Sequence, residues 1–352
     1  MSWRTPANTA WLDGLRGVER GHPLARHTSF NIGGPAEWFV ASGRPEALVD
    51  ECHRRGIPYL LLGAGTNLLI ADEGIEGLVV RCVNREWRVE GTRVYAQAGL
   101  KMMRLARICA DHDLAGFEWA IGVPGTVGGA VYQNAGCWGT ELVEVLAAAE
   151  GFCPGGGRRD WMPADLELGY RTSALRDGRL AGALVTGAWI QLAPGDGAAA
   201  RRQMAGWTAE RTRTQPIKTL NCGSVFRNPK GDSAGRLVEA AGLKGAREGD
   251  AEVSPQHANF IVNRGGASAA NVNRLICRIQ AEVSRRFGVT LEPEVERVPK
   301  IPPPSRGRWV GHDPAGVRLN GQPSSVSVRA TPPPVRGRTS SPARGEAHLE
   351  QP

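Results

Sequence analysis

Two glycine loops are the first places in this sequence where main chain could meet an anion. Gly63-Ala64-Gly65-Thr66-Asn67 follows a short apolar run at 59–62. Its glycines let backbone N–H groups come close to a negative charge, and Thr66 and Asn67 add side-chain hydrogen bonds. No Gly-Lys-Ser/Thr follows, so it is not a Walker loop. The third glycine and the following helix of the Rossmann fingerprint are also missing. Alone, such a loop is commonly a plain tight turn. The second stretch, residues 120–130, packs four glycines and one proline into eleven residues, a composition that argues against regular helix. It holds Gly122, Pro124, Gly125, Thr126, Gly128 and Gly129 and continues into Asn134-Ala-Gly-Cys-Trp-Gly139. Two such loops in adjacent regions can grip one long dinucleotide from both sides; the bland alternative is a bulged, sharply turning sheet.

The elements that must hold these loops fall into three regions and a tail. In the first, residues 1–82, a helix is predicted over 45–55, with Pro45 at its first position and Gly56 just past its end. Strands over 59–62 and 78–81 flank the first loop. In the second, 83–211, a strand over 94–98 and a helix over 100–111 precede the second loop. Short alternating stretches up to Gln191 then predict an antiparallel sheet. In the third, 212–300, Ser233 can cap a short helix ending near Gly242, and 258–263 and 291–298 read as strands. Val272, Leu275, Ile276, Ile279, Val283 and Phe287 recur at three- and four-residue spacing, which predicts a helix over 268–287 stopped by Gly288. Residues 301–352 carry ten of the 24 prolines and few large apolar side chains. That composition predicts a disordered Pro/Arg-rich tail.

Composition narrows the function classes. The chain has 352 residues, 41% of them hydrophobic and 22% charged, enough to bury several cores. The formal net charge is +8, and half of that surplus sits in the tail, which has seven Arg, no Lys and three acids. No basic run interleaved with aromatics tracks a phosphate backbone, so no nucleic-acid partner is expected. Seven cysteines without a Cys-x-x-Cys pair argue against a disulfide framework or a zinc site and suit a reducing, cytoplasmic setting. No signal peptide and no membrane-spanning helix are expected, and a monomer is expected.

Eight segments, in order, resemble the UDP-N-acetylenolpyruvoylglucosamine reductases, the MurB-type flavoenzymes. They are His27-Thr-Ser-Phe-Asn-Ile-Gly-Gly34, Leu62-Gly-Ala-Gly-Thr-Asn-Leu-Leu69, residues 122–129, Asn134-Ala-Gly136, Gly169-Tyr-Arg171, Cys222-Gly-Ser-Val-Phe-Arg-Asn-Pro229, Ser254-Pro-Gln-His-Ala-Asn-Phe260 and Leu291-Glu-Pro-Glu-Val295. Each is weak alone; eight in order are highly specific, and they cover nearly everything from His27 to Val298. The resemblance implies an α+β fold. It consists of a two-part FAD-binding domain of the vanillyl-alcohol-oxidase/PCMH type and a C-terminal α/β substrate-binding domain. It assigns Gly63, Ala64, Gly65, Thr66 and Asn67 to non-covalent FAD, together with Gly122, Pro124, Gly125, Thr126, Gly128, Gly129, Asn134 and Gly136. NADPH is implied as co-substrate and a UDP-sugar as substrate.

The same resemblance implies three chemical roles. Hydride from reduced flavin reaches an enolpyruvyl group, and negative charge appears beside its carboxylate. Arg171 is implied to hold that charge, since a guanidinium stays cationic and binds carboxylates through paired hydrogen bonds. Ser224 is implied as the proton donor, a weak acid that the site must help by positioning. Glu294 is implied near the reacting carbon, able to donate a hydrogen bond if burial raises its pKa. Glu292, two residues away, would share its face on a regular strand, an alternation that Pro293 can disturb. Tyr170, Asn228, Lys244 and His257 match substrate-contact positions, with Lys244 suited to a diphosphate. Two positions depart from the pattern. Thr214 stands where the family has a lysine before Gln215-Pro216, leaving Arg213 or Lys218 as substitutes, and Gln256 precedes the His-Ala-Asn-Phe motif where lysine is usual. The matches favour the short branch of the family, because the long branch's inserted tyrosine loop has no counterpart. The alternative is another flavin dehydrogenase or oxidase of the same fold, acting on a hydroxy acid or sugar lactone.

Overall fold

Pro and Gly punctuate the chain into short elements. The computed structural model describes residues 3–298 except Ala181, and the predicted disordered tail lies outside the described residues. Helix α1 (Pro6–Asp13) leads into β1 (Glu19–Pro23), β2 (Pro35–Ser42), α2 (Pro45–Arg55), β3 (Tyr59–Leu62), β4 (Leu68–Ile70) and β5 (Ile75–Cys82). The sheet order is β1-β2-β5-β3, with β2, β5 and β3 parallel and β1 antiparallel at the edge. Parallel neighbours need a crossover, and α2 lies between β2 and β3 in the chain. It begins at Pro45 and stops at Gly56, whose φ of 65° is the left-handed conformation that ends helices cheaply. Along β5, Leu78 and Val80 join one core cluster with Trp38 and Val40, while Val79 joins another with Phe39 and Leu62. Alternate side chains face opposite sides, so this sheet is buried on both faces.

The second sheet is fully antiparallel, as the alternating pattern predicts. It is built from β6 (Trp87–Glu90), β7 (Arg93–Gln97), β8 (Leu146–Cys153), β9 (Gly157–Trp161) and β10 (Leu184–Gln191), in the order β9-β8-β10-β7-β6. Helix α3 (Met102–Asp111) and α5 (Gly197–Thr214) share its core cluster through Leu105, Cys109, Ala200 and Met204. Between them the second glycine stretch departs from expectation. It contains a 3-10 turn, Glu118–Gly122, and then a true helix, α4 (Val127–Gln133). Packing overrides the poor propensity of Gly128 and Gly129. A Cβ on Gly128 would stand 2.9 Å from the Ala98 Cβ, so glycine is what lets this helix lie against the end of β7. Val127 and Gly128 donate their N–H groups to the carbonyls of Leu100 and Ala98.

The third region packs α6 (Ala234–Ala240) and α7 (Ala269–Phe287) on a small sheet containing β11 (Ala251–Val253) and β12 (Ile261–Asn263). Ser268 caps α7 in a reciprocal box with Asn271, and Gly288 closes it at φ 67°. Val272, Leu275, Ile276, Ile279 and Val283 are buried, each contributing roughly 1.5–3 kcal/mol; Phe287, at the end of the stripe, is exposed. Two predicted strands are shorter than expected. Residues 257–260 form a turn closed by Phe260 N–H to His257 O, so only Ile261–Asn263 is strand. Of residues 291–298 only Glu296–Val298, β13, is strand, parallel to β4. Before β13, Pro293 makes only an isolated antiparallel bridge with Phe226, closed by Arg227 N–H to Glu292 O and Glu294 N–H to Val225 O.

One cluster in the first region sets a pH limit on this fold. His22 Nδ1 lies 2.7 Å from Glu19 Oε2, and its Nε2 lies 2.7 Å from His27 Nε2. Both rings stack on Phe39. Two ring nitrogens this close share one proton. Burial first, then Arg81, His22 and Arg26, hold His27 down to about 4, against an opposing pull from Glu19. Unfolded His27 takes its proton near the usual 6.5, so between 6.5 and 4 the unfolded chain binds more protons and stability falls as pH falls. Lowering the pH through that window should cost about 1–2 kcal/mol, solvent screening the half-exposed ring. Thermal melts against pH should be flatter there for His27→Gln than for the wild type; parallel curves would remove His27 as the cause.

Candidate active site

The two glycine loops face each other. Thr66 Oγ1 donates to Pro124 O at 3.2 Å, and a Cβ on Gly63 would meet Thr126 Oγ1 at 2.8 Å. Gly65 carries φ +62°, and a Cβ there would stand 2.0 Å from the His27 carbonyl oxygen. Backbone therefore meets backbone at Gly65, which only glycine allows. Asn67 turns its amide the other way, donating to Gln133 Oε1 at 3.0 Å and to the Glu294 carbonyl at 3.1 Å. It thus ties the first loop to α4 and to the segment before β13.

A cavity of about 190 Å³ opens where these pieces meet. Thr66, Asn67, Gly122, Pro124 and Gly136 line it, and so do Tyr170, Arg171, Ser224, Asn228 and Glu294. The structure thus brings together all three residues implied for chemistry. Gly63, Ala64, Gly65, Gly125, Thr126, Gly128, Gly129 and Asn134 stand outside that lining and shape the loops behind it. Asn134 is a bracket. Fully buried at φ 46°, it donates to Glu141 and to the Gly169 carbonyl and accepts from Val143 N–H, fixing the turn that presents Tyr170 and Arg171.

Arg171 has a left-handed backbone, φ 55°. Its Nε donates to Glu294 Oε1 at 2.9 Å and its Nη2 to Gly136 O at 2.9 Å. Its Nη1 is buried, 3.6 Å from Glu141 Oε1, and has no hydrogen-bond partner. Burial pushes the Glu294 carboxyl up; the guanidinium of Arg171 pulls hardest the other way, then Arg176 and Arg227. Glu294 N–H bonds to Val225 O at 2.7 Å, which sets the glutamate beside the Ser224 loop. Gly223 holds that loop at φ +81°, its N–H caught by Asn221 Oδ1. Glu292 does not share the environment of Glu294. Its side chain is 68% exposed against 15%, and it lies 3.8 Å from Arg227.

Two substrate candidates lie elsewhere. Lys244 pairs with Glu239 at 2.7 Å and His257 packs edge-on against Phe260; neither lines the cavity. The His257 ring is held below its usual range by burial and then by Lys244, while Phe260 carries its turn into the cavity wall. The departure at Thr214 pointed to Arg213 or Lys218. Instead Arg213 pairs with Glu210 at 2.6 Å in the open, and Lys218 is exposed. The second cation that lines the cavity, beside Arg171, is Arg211, which sequence reading missed. It bonds Gln215 Oε1 at 2.7 Å, one helical turn on, and has no carboxylate partner among the described residues. That i, i+4 pair at the end of α5 was the available signal.

Opposed glycine loops, hydroxyl donors and a cation without an acid form a donor set that fits a long anionic dinucleotide. Residues 45–157 match the family described as FAD binding domain, and the class is that of a flavin-dependent oxidoreductase with FAD as its cofactor. Residues 215–298 match the C-terminal domain of UDP-N-acetylenolpyruvoylglucosamine reductase. The chain is 44% identical over 285 residues to the UDP-N-acetylenolpyruvoylglucosamine reductase of Synechococcus sp. (strain JA-3-3Ab), covering 79% of this chain and 90% of that one. It is 42% identical over 282 residues to the enzyme of the same name from Chloroflexus aurantiacus, covering 78% and 95%. The crystal structure of UDP-N-acetylenolpyruvylglucosamine reductase from Thermus caldophilus superposes with a TM-score of 0.68 at 37% identity, covering 80% of this chain and 99% of that one. The chain belongs to the UDP-N-acetylenolpyruvoylglucosamine reductase family. No helix among the described residues is long and apolar enough to cross a membrane.

The close approach at Gly65 is open to direct test. Gly65→Ala adds a methyl at a left-handed position and against a carbonyl, and strain of this kind costs about 1–3 kcal/mol. Purified Gly65→Ala should melt lower than the wild type and carry less FAD per chain, read from the ratio of absorbance at 450 and 280 nm. Full flavin content at an unchanged Tm would mean the two backbones have room to part.

Proposed function

We propose that this protein reduces the enolpyruvyl ether of UDP-N-acetylglucosamine enolpyruvate to UDP-N-acetylmuramate with NADPH, a step of peptidoglycan synthesis. The observation that carries the reading is the meeting of Arg171, Ser224 and Glu294 on one cavity, with Arg171 Nη1 buried and lacking an acceptor. Bound between the two glycine loops, FAD supplies the transfer of hydride from NADPH to the sugar.

The chain's own residues do the rest. Arg171 has a free N–H for the substrate carboxylate, and a paired contact suits charge developing beside it. The incoming carboxylate competes with Glu294 for the guanidinium. A second anion next to a buried glutamate drives it further toward the neutral acid. Neutral Glu294 can then donate a hydrogen bond to the enolate. Ser224 gives its hydroxyl proton to the carbon next to the carboxylate, helped by the basicity of that enolate and by a loop fixed through Val225 to Glu294. Tyr170 and Asn228 hold the sugar nucleotide at the mouth, and Arg211 adds positive charge inside. We assign 1–82 and 83–211 to the flavin and 212–300 to the substrate. Seven free cysteines and a water-soluble nucleotide-sugar support a cytoplasmic location.

NADPH consumption by FAD-loaded protein should depend on UDP-N-acetylglucosamine enolpyruvate; consumption indifferent to the sugar would reject the reading. Ser224→Ala should still let NADPH bleach the flavin at 450 nm but slow its reoxidation by the sugar on the order of 10²–10⁴-fold, the range of a lost general acid. Reoxidation at the wild-type rate would take the proton donor's role from Ser224.

A further inference from the structure

Arg171 works from a backbone conformation that costs an L-residue about 1–2 kcal/mol, so something must hold it there. Its carbonyl oxygen accepts hydrogen bonds from two other arginines, Arg176 Nη1 and Arg227 Nη2, the latter at 3.1 Å. Arg176 is only 8% exposed and does not line the cavity. Its second fork nitrogen, Nη2, donates to the Glu294 carbonyl at 3.3 Å and pairs with the Glu296 carboxylate. Its own N–H bonds Ser173 Oγ at 3.1 Å, and that hydroxyl donates to Tyr132 O on α4. One buried guanidinium thus touches the main chain of both members of the cavity's ion pair, the farther of them 118 positions away in sequence.

We infer that Arg176 is a positioning residue, a fork that fixes the Arg171 and Glu294 backbones at one separation so that their side chains meet the substrate together. This rests on the reading above that those two side chains touch substrate. The planar guanidinium is required, because one rigid fork can serve two carbonyls and a carboxylate at once. Lysine supplies a point charge and reaches fewer of them. Glu296 keeps the buried cation paired, as burial demands, and β13 fixes Glu296 beside β4. A second consequence is electrostatic. Arg176 is one of the cations opposing the burial that pushes Glu294 up, so its removal also leaves Glu294 more firmly protonated.

The test uses the full chain loaded with FAD and the variants Arg176→Lys and Arg176→Gln, with Arg176→Gln/Glu296→Gln to remove both buried charges if the single variant does not fold. Per bound flavin, kcat for sugar reduction should fall on the order of 10–100-fold, as for a small misplacement of reacting groups, with KM for the sugar much less changed. Arg176→Lys should recover the wild-type pH profile but not the full kcat. The Glu294 carboxyl band in the infrared, identified by its loss in Glu294→Gln, should titrate at higher pH in Arg176→Gln than in the wild type or Arg176→Lys. An unchanged kcat per flavin, with flavin content alone reduced, would make Arg176 a brace of the fold and overturn the proposal. So would a Glu294 band that titrates identically in all three proteins. The infrared titration needs no sugar, so it tests the Arg176–Glu294 contact even if the wild type turned over some other substrate.

Discussion

The Arg171–Glu294 ion pair is the constraint around which this site is arranged. Two opposite charges, 17% and 15% exposed, sit 2.9 Å apart in a cavity wall. A buried pair gains little net stability, because desolvation offsets most of its attraction. What it does provide is a guanidinium with one nitrogen unspent and a carboxyl that burial pushes toward its neutral form. Both are states that an arriving carboxylate can use. The surrounding structure holds the pair in this poised condition through Asn134 and the turn before Tyr170, through Gly136 O, and through the two arginines on the Arg171 carbonyl.

Holding it requires that distant parts of the chain be fastened together. The last described strand, β13, returns to pair with β4, directly after the first glycine loop, and Glu296 N–H bonds Asn67 O at 2.9 Å. Phe30, Ile32 and Leu69 sit in the same core cluster as α6 and α7, and Asn263 reaches Phe30 O at 3.0 Å. Asp72 adds a second cap to α7, accepting from Ala269 and Ala270 N–H at 2.7 and 3.0 Å; a carboxylate at a helix N-terminus also meets the positive end of its dipole. The glutamate, the serine loop and the first glycine loop are therefore parts of one packed body.

What was legible in the sequence was what is decided locally. The bounds of α2 and α7 follow from Pro45, Gly56, Ser268 and Gly288, each acting within a turn of its own position. The antiparallel second sheet follows from its alternation. The motifs singled out Arg171, Ser224 and Glu294, which line one cavity although more than 120 positions separate the first from the last. Contacts from far away decided the rest. Helix α4 exists because Ala98 and Leu100 receive its first N–H groups and Gly128 fits against Ala98. The strand expected over 291–298 shrinks because the segment around Pro293 meets Phe226 in a single bridge rather than a ladder. Lys244 faces Glu239 rather than the cavity. Arg176 and Arg211 look like any helix or loop arginine until the fold shows what they reach.

The charges explain why arginine recurs here. Arg171 and Glu294 cancel, as do Arg176 and Glu296, which leaves Arg211 as the cation on the cavity wall without an acid. Burial works against its charge, and a guanidinium is the side chain that keeps its proton under that pressure. A lysine at the same depth would tend to go neutral. A site that stays positive when empty draws anions toward it, and it rewards a ligand that brings negative charge to Arg211 and Arg171 together. A neutral sugar lactone would leave Arg211 without a counter-charge in a partly dry cavity. By that argument the charge pattern favours a substrate that carries its own carboxylate and phosphates over an uncharged sugar lactone, which the fold by itself would admit.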